Sequence, residues 1–403
     1  MSALKELLKD VPVELETVAD YIDYVQPNKY LVSSKNYHED YKTPVLTAGK
    51  TFILGYTDEN NGIFPASKTP VIIFDDFTTA NKWVNFDFKA KSSAMKILIP
   101  KDDTKIVLKY FYYWLRSCPS ELADGDHKRQ WISNFSLKLF PIPYPNDPEK
   151  SLAVQQEIVR VLDELSEQNK TLTDALSQEI DNRKKQYAYY REELFRFEGK
   201  EVEWKTLGDI AIKISSGGTP KTENSSYYGG DIPWLRTQEV GYGDIWDTEI
   251  KITELGLKNS SAKLIPTNCV IIAMYGATVG RVGINKIPLA TNQACANIEV
   301  DNKQADFRYI YHILLSQYAY IKSLGTGSQT NINAQIVKKL QIPIPYPNDP
   351  KKSLEIQQEI VRILDQYDEA TKNIVSALEK EIDLRNKQYE YYRNLLLSSS
   401  AVH

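Results

Sequence analysis

The sequence predicts an α/β protein carrying long α-helices: two mixed α/β heads separated by an antiparallel two-helix coiled coil, arranged as a pseudo-twofold circular repeat. Three observations predict it. Residues 141–195 recur as residues 343–397, offset by 202 without a gap, and about 34 of the 55 positions are identical, far above chance for a self-comparison. Each copy carries apolar residues at helical spacing. The stretches before the copies break into short apolar runs punctuated by Gly, Pro, Asn and Asp, as strands joined by turns do.

The helices follow from the spacing. In the first copy Ile158, Leu162, Leu165, Leu172, Leu176, Ile180, Tyr187, Tyr190 and Leu194 fall at steps of three, four or seven. Ile360, Leu364, Tyr367, Ile374, Leu378, Ile382, Tyr389, Tyr392 and Leu396 repeat the series. Lys, Glu, Gln and Asp fill the remainder, and Ser151 and Ser353 stand where N-caps are expected. Roughly 45 residues give a rod of about 65–70 Å. An apolar stripe of that length needs cover, and two in one chain cover each other most simply as an antiparallel pair.

The heads come next in the argument. Residues 1–12 form a short amphipathic pattern with Leu4, Leu7 and Leu8 on one side. They match the end of the first long helix, so the N-terminus is expected to supply a last turn for the second half, with the two termini close together. Thr43–Leu46, Phe52–Tyr56, Val71–Phe74 and Met95–Ile99 read as strands, and Val107–Cys118 as a buried helix. Residues 202–342 repeat this plan with little identity: VEWKTLGDI answers VELETVADY, Val270–Ala273 answers Val71–Phe74, and Phe307–Leu324 answers the Val107 helix. Similar rods holding dissimilar heads imply one scaffold performing two versions of one task.

Bulk properties narrow that task. The 403-residue chain has room for two or three domains. Its net charge of −4 argues against a nonspecific nucleic-acid coat but leaves room for a local basic cleft, because the acid is dense on the helices. Three Cys without CxxC or Cys/His clustering point to a reducing compartment and no zinc site. No apolar run has the length of a membrane span, so a cytoplasmic location is expected. Most of the 26 Tyr are read as core and seam residues.

Chemistry, if present, belongs to the heads. In the second head Gly217-Gly218-Thr219-Pro220-Lys221 reads as a flexible turn bearing a hydroxyl and an amine. Residues 232–239 (IPWLRTQE) end a strand, 275–281 (YGATVGR) form a Gly-punctuated loop, and 324–333 (LGTGSQTNIN) form a polar loop. Arg, Gln, Asn and Thr read base edges, and Gly-loop N–H groups suit phosphates. Each alone also reads as a solvated turn; together they sit at strand ends of one domain. In the first head the matching places are 44–50 (PVLTAGK), 74–82 (FDDFTTANK) and 126–133 (DHKRQWIS), where Lys128, Arg129, Gln130 and Trp131 make the most basic and aromatic loop. Asp75-Asp76 reads as a strand-end turn; a magnesium site lacks a third acid or a lysine at nuclease-like spacing. Walker, GxGxxG, HExxH and GxSxG patterns are missing, as is the Asn-Pro-Pro-aromatic or Asp-Pro-Pro-Tyr mark of amino-methyltransferases. The four His are scattered, and His312 reads as a satisfied core residue.

These motifs, in this order, resemble the specificity subunit of type I restriction-modification enzymes over the whole chain. The resemblance rests on GGTPK at 217–221, GGDIPWLRTQEV at 229–240, GATVGRVGI at 276–284, ATNQACANI at 290–298, GSQTNINAQIVKKLQIPIP at 327–345 and QQEIVRxLD twice. The first head departs from it, lacking the GGTP and GATVG loops. The resemblance implies the following domains: 1–140, a first target-recognition domain with an N-terminal helix over 3–9; 141–198, a central conserved helical region; 199–342, a second target-recognition domain; 343–397, a C-terminal conserved helical region; and 398–403, a disordered tail. It implies that the chain catalyses nothing itself. Each head would read half of a bipartite, asymmetric site on double-stranded DNA, and the helices would set the spacer and dock two methyltransferase subunits; restriction/translocase subunits would join these. The chain would bind no cofactor, S-adenosylmethionine, ATP and magnesium being held by those partners. Candidate DNA contacts are Lys35, Lys50, Thr78, Thr79, Lys82, Lys128, Arg129 and Gln130 in the first head. In the second they are Thr219, Lys221, Arg236, Thr237, Gln238, Tyr275, Thr278, Arg281, Ser328, Gln329 and Asn331. A coiled-coil scaffold whose paired heads bind protein ligands is the alternative; steep salt dependence of binding separates the two.

Overall fold

The computed structural model describes residues 11–49, 51–118, 129–199, 201–325 and 331–398. By contact the chain divides into two compact units, one running to Leu176 and resuming at Glu379, the other Ser177–Leu378. Each contains one head and part of both long helices. The expected helix at 3–9 lies outside the described residues, as does the expected tail except Ser398, which belongs to a helix.

The first unit begins with β1 (Val13–Thr17), α1 (Val18–Tyr21), β2 (Ile22–Val25), β3 (Thr43–Leu46), β4 (Ile53–Thr57), β5 (Val71–Asp75), β6 (Asn81–Val84), β7 (Lys89–Ala90) and β8 (Met95–Pro100). Then come α2 (Leu108–Ser117), α3 (Gln130–Ser133), β9 (Leu139–Pro143) and the long α4 (Pro148–Leu194). The antiparallel sheet β2-β8-β5-β6 is the centre. Strand β5 is apolar at successive positions because both its faces are buried. Ile72 and Phe74 face α2 and the helix residues Ile158 and Leu162. Val71 and Ile73 face the other way, onto the core that contains Leu46 of the small sheet β4-β3-β7.

The second unit repeats the plan. It contains β10 (Val202–Thr206), α5 (Leu207–Ile210), β11 (Ala211–Ser216), β12 (Tyr228–Leu235), β13 (Gly243–Ile245), β14 (Lys251–Ile252), α6 (Glu254–Lys258), β15 (Leu264–Ile265), β16 (Val270–Ala273), β17 (Val282–Asn285), β18 (Leu289–Thr291) and β19 (Cys295–Val300). It continues with α7 (Phe307–Ser316), α8 (Tyr318–Ser323), α9 (Ala334–Lys338), β20 (Gln341–Pro345) and α10 (Pro350–Ser398). The central sheet is β11-β19-β16-β17-β13, beside β14-β12-β18-β15. The helix expected over 307–324 breaks at Gln317, giving α7 and α8.

Each head is closed on itself. Strand β1, where the chain comes in, pairs antiparallel with β9, where it leaves; β10 pairs with β20 in the same register. In the first unit Leu396 and Leu397, from the last turns of α10, join the head core beside Ile158 and Leu162 of α4, so the two segments run antiparallel. In the second, Leu194 at the end of α4 and Phe195 just after it pack on the core holding Ile360 and Leu364 of α10. This is the circular repeat expected from the sequence, realised inside each unit. Elsewhere the apolar stripe stays partly open: Leu172 and Ile374 keep 39% and 41% of their surface exposed.

Two local expectations are corrected. The long helices start at Pro148 and Pro350, so Ser151 and Ser353 lie inside them, buried, each accepting from the glutamine one turn on. The caps are Asp147 and Asp349, whose carboxylates accept the amides of Lys150 and Lys352 at 3.1 Å, with Pro at the first helical position. Nor is the Gly217-Gly218 turn flexible. Gly218 N–H donates to the Thr291 carbonyl, Trp234 Nε1 donates to the Gly218 carbonyl, and a Cβ on Gly217 would meet the Thr291 oxygen at 1.8 Å. Glycine serves there for close backbone approach. Cys269 and Cys295 are buried, and no helix among the described residues is long and apolar enough to cross a membrane.

Candidate nucleic-acid interface

Both heads dock on their helices through the same two side chains. Buried Gln155 and Gln357 accept the amide at the start of α2 or α7, from Val107 and Asp306, at 2.8 and 2.9 Å. Two turns on, Asp163 takes Lys109 at 2.7 Å and the Tyr113 hydroxyl. Asp365 takes Arg308 through two bonds, at 2.8 and 2.9 Å, and His312 Nε2 at 2.8 Å. Burial alone would raise the Asp365 pKa; the bonds from His312 and Arg308 outweigh it and hold the carboxyl at about 2. His312 is thus buried and bonded at Nε2 as a core residue, while Nδ1 finds no partner. The rods hold the heads alike, so differences between the heads lie beyond this joint.

In the second head the tip of the β16–β17 hairpin gathers the polar loops. Gly276 and Gly280 take positive φ, 80° and 81°, which glycine adopts freely. Thr278 Oγ1 donates to the Thr237 carbonyl at 2.9 Å, and Gly276 N–H donates to Asn331 Oδ1 at 3.3 Å. Asn292 N–H donates to the Leu235 carbonyl, and its neighbour Gln293 accepts the Thr219 hydroxyl. So Thr219, Arg236, Thr237, Gln238, Tyr275, Thr278, Arg281 and Asn331 belong to one connected end of the domain. Tyr275 and Gln238 are exposed there, as is Lys221 in the neighbouring turn.

Arg236 is not free. Its Nε lies 3.0 Å from Glu239 and its Nη2 2.6 Å from Glu249, with the Gln238 amide against the guanidinium. Arg281 instead lies over the ring of Tyr242 at 5.7 Å. Tyr242 meets Tyr318 edge-on at 6.2 Å, and Lys322 lies 5.9 Å over Tyr318. Sequence reasoning missed Tyr242, Tyr318 and Lys322. The YAYIK run of α8 carries the signal, a Tyr and a Lys four apart on one helical face.

The first head presents the equivalent hairpin, β5–β6, with other residues. Asp75 Oδ1 accepts the amides of Phe77 and Thr78, and Thr79 takes φ 59°. Thr78, Thr79, Asn81 and Lys82 line a cavity of about 330 Å³ with Tyr112, Arg116 and Phe135. Arg116 stacks on Tyr112 one helical turn before it, at 5.8 Å; the sequence reading overlooked it. Asp75 is thus engaged by hairpin amides and Asp76 by the Trp131 amide and Lys96, and no cluster of three or more acids, His or Cys among the described residues could hold a metal. Gln130 and Trp131 are corrected: both are buried, Trp131 against Phe74 and Phe111, because α3 folds its aromatic side into the core. Arg129 remains exposed. Lys35 is exposed on the segment before β3, and no described contact ties it to the hairpin. Lys50, Lys128, Ser328 and Gln329 lie outside the described residues.

The paired hairpins are fastened by opposite means. In the second head the side chain of Asn331 captures a hairpin amide. In the first, the hairpin's Asp76 captures the amide of Trp131 through Oδ1 at 2.8 Å.

Comparison with known proteins matches this architecture. The model of the type I restriction modification DNA specificity domain matches residues 12–182 and 199–384. The chain is 49% identical over 406 residues, 99% of its length and 97% of the relative's, to the type I restriction enzyme EcoR124I/EcoR124II specificity subunit of Escherichia coli. It is 35% identical to the EcoprrI specificity subunit of the same organism, over 50% of this chain and 51% of that one. Among solved structures, a chain described under complex assembly and conformational transition of the type I R-M system shares the fold, with TM-score 0.71 and 14% identity over 96% of this chain and 98% of that one.

Proposed function

This chain belongs to the type I restriction modification DNA specificity family, and from that premise we propose that it is the subunit through which such a complex reads its DNA site. Each head takes one half of a bipartite, asymmetric sequence in the major groove, where base pairs are distinguishable. One observation supports this above the rest: the heads keep the same frame and the same joint to the helices, while the hairpin tips they present carry different residues. Thr78, Thr79, Lys82, Arg116 and Arg129 are the candidate contacts of the first head. Tyr275, Arg281, Tyr242 and Lys322 are those of the second. Arg236 serves chiefly to shape its loop, since two carboxylates already neutralise it.

The helices set the distance between half-sites and dock two methyltransferase subunits. The partly exposed Leu172, Tyr190, Tyr367, Ile374 and Tyr391 along them supply apolar surface for that purpose. Restriction/translocase subunits then join the complex. S-adenosylmethionine, ATP and magnesium reside on those partners, and the chain contributes recognition without chemistry.

Salt-dependent binding tests the reading. With the methyltransferase subunits present, the logarithm of the affinity for a duplex carrying the site is expected to fall linearly with log salt, with a slope of roughly −0.9 per phosphate contact. Salt-independent binding would favour a protein-binding scaffold and overturn the proposal.

A further inference from the structure

The first head buries a charge pair where the second head is apolar. Asp76 follows β5 and Lys96 lies in β8; both side chains are wholly buried, with Lys96 Nζ 3.6 Å from Asp76 Oδ2 and 4.5 Å over the Tyr24 ring. Sheet register identifies the matching places. Phe74 pairs with Lys96 as Ile272 pairs with Ala296. Asp76 N–H donates to the Ala94 carbonyl as Met274 N–H donates to the Ala294 carbonyl. The sister head therefore holds Met274 and Ala296, and the fold itself does not require charge here.

Taking two charges out of water is costly, and replacing a buried pair by apolar residues is often neutral or better. A pair kept at such a place calls for a task. Asp76 performs one that Met274 cannot. Its carbonyl accepts Gln130 N–H, as the Met274 carbonyl accepts Ile332 N–H. Its Oδ1 additionally accepts Trp131 N–H at 2.8 Å. The segment held in this way begins at exposed Arg129 and runs on to Phe135, which walls the cavity containing Thr78, Thr79 and Lys82.

We propose that Asp76 is a positioning residue for DNA reading: stabilised by Lys96, it pins the segment from Arg129 to the β5–β6 hairpin and so fixes the first head's contact surface. The inference rests on the proposed DNA reading. Lys96 acts through Asp76, its cation compensating a carboxylate that would otherwise be buried alone.

The test uses the full chain in complex with its methyltransferase subunits. Methylation rates are compared on duplexes bearing single-base changes in either half-site. Asp76→Met with Lys96→Ala transplants the second head's pair and removes the acceptor. It is expected to lose about tenfold of discrimination in the first head's half-site and none in the other, the scale of one mismatched base pair. Asp76→Asn with Lys96→Met removes both charges but keeps the acceptor, and discrimination is expected to stay within about twofold of the parent. Unchanged discrimination in the transplant, or equal losses in both variants, overturns the proposal. Hydrogen exchange of the Gln130 and Trp131 amides in the unsubstituted chain gives a reading independent of variant folding: protection like that of β5 is expected, and exchange at the rate of exposed loops overturns it. A parent that discriminates in neither half-site would defeat the DNA reading, and this proposal with it; a discriminating parent whose variants are unaltered defeats this proposal alone.

Discussion

Arg236 and Arg281 belong to one end of the second head, yet they differ in what holds them. Arg236 is engaged by Glu239 and Glu249, whereas Arg281 rests on an aromatic ring. A bound guanidinium must give up its partners before it can meet a base; a stacked one need not. Arg281→Ala is therefore expected to relax choice in the second head's half-site by about 1–3 kcal/mol, with Arg236→Ala smaller, when binding to substituted duplexes is compared. Asp365 supplies a second test. Its folded pKa of about 2 lies below the ordinary 3.8, so the stability it adds is present above 3.8 and is lost as pH falls through about 2. Partial exposure screens the cluster, and Asp365→Asn is expected to cost about 1–2 kcal/mol at pH 7. In urea unfolding the gap from the parent should narrow as pH falls through about 2 and close below it; a gap that persists there would show that the bonds to His312 and Arg308 do not depend on the charge. At this scale the sequence was only partly legible. Residue type marked Thr78, Thr79, Lys82 and Arg281, but burial of Gln130 and Trp131, and the carboxylates around Arg236, depend on contacts between distant segments.

Elements were far more legible, because periodicity reports burial directly. The alternation of Ile72 and Phe74 with Val71 and Ile73 across two cores follows from strand geometry. The duplicated helices emerge with their seams at the ends inside the head cores. Starts were harder to place: Ser151 and Ser353 suit a cap by type, but Pro148 and Pro350 mark the first helical residue, one after the true cap. Asp147→Ala is expected to destabilise the first unit in urea unfolding. Ser151→Ala should act instead through Gln155, whose side chain it holds at 3.0 Å. The Lys150 amide and ammonium hold the Asp147 carboxyl below the usual carboxylate range, so an effect of Asp147→Ala that does not shrink as the pH falls through that lowered pKa would argue against a charged cap.

For the whole molecule, internal repetition in the sequence is enough to imply the circular plan. Closure of each head by β1–β9 or β10–β20 explains how that plan works, since strand pairs bring the incoming and outgoing chain together. Seven residues added to α4 alone would lengthen one helix by about 10 Å without its partner. Such a variant is expected to change half-site spacing or lose site-specific methylation; unchanged spacing would refute the ruler. What remained hidden in the sequence is the arrangement of the proposed DNA surface, because its candidate residues lie on loops whose positions depend on the sheet beneath them. The most direct measurement is a head exchange. Residues 13–140 are replaced by the corresponding head of another family member, and methylated adenines are mapped in DNA from cells that also express the methyltransferase subunit. One half of the recognised sequence should change while the other half and the spacer stay as they were; a change in both halves, or in neither, would contradict the account.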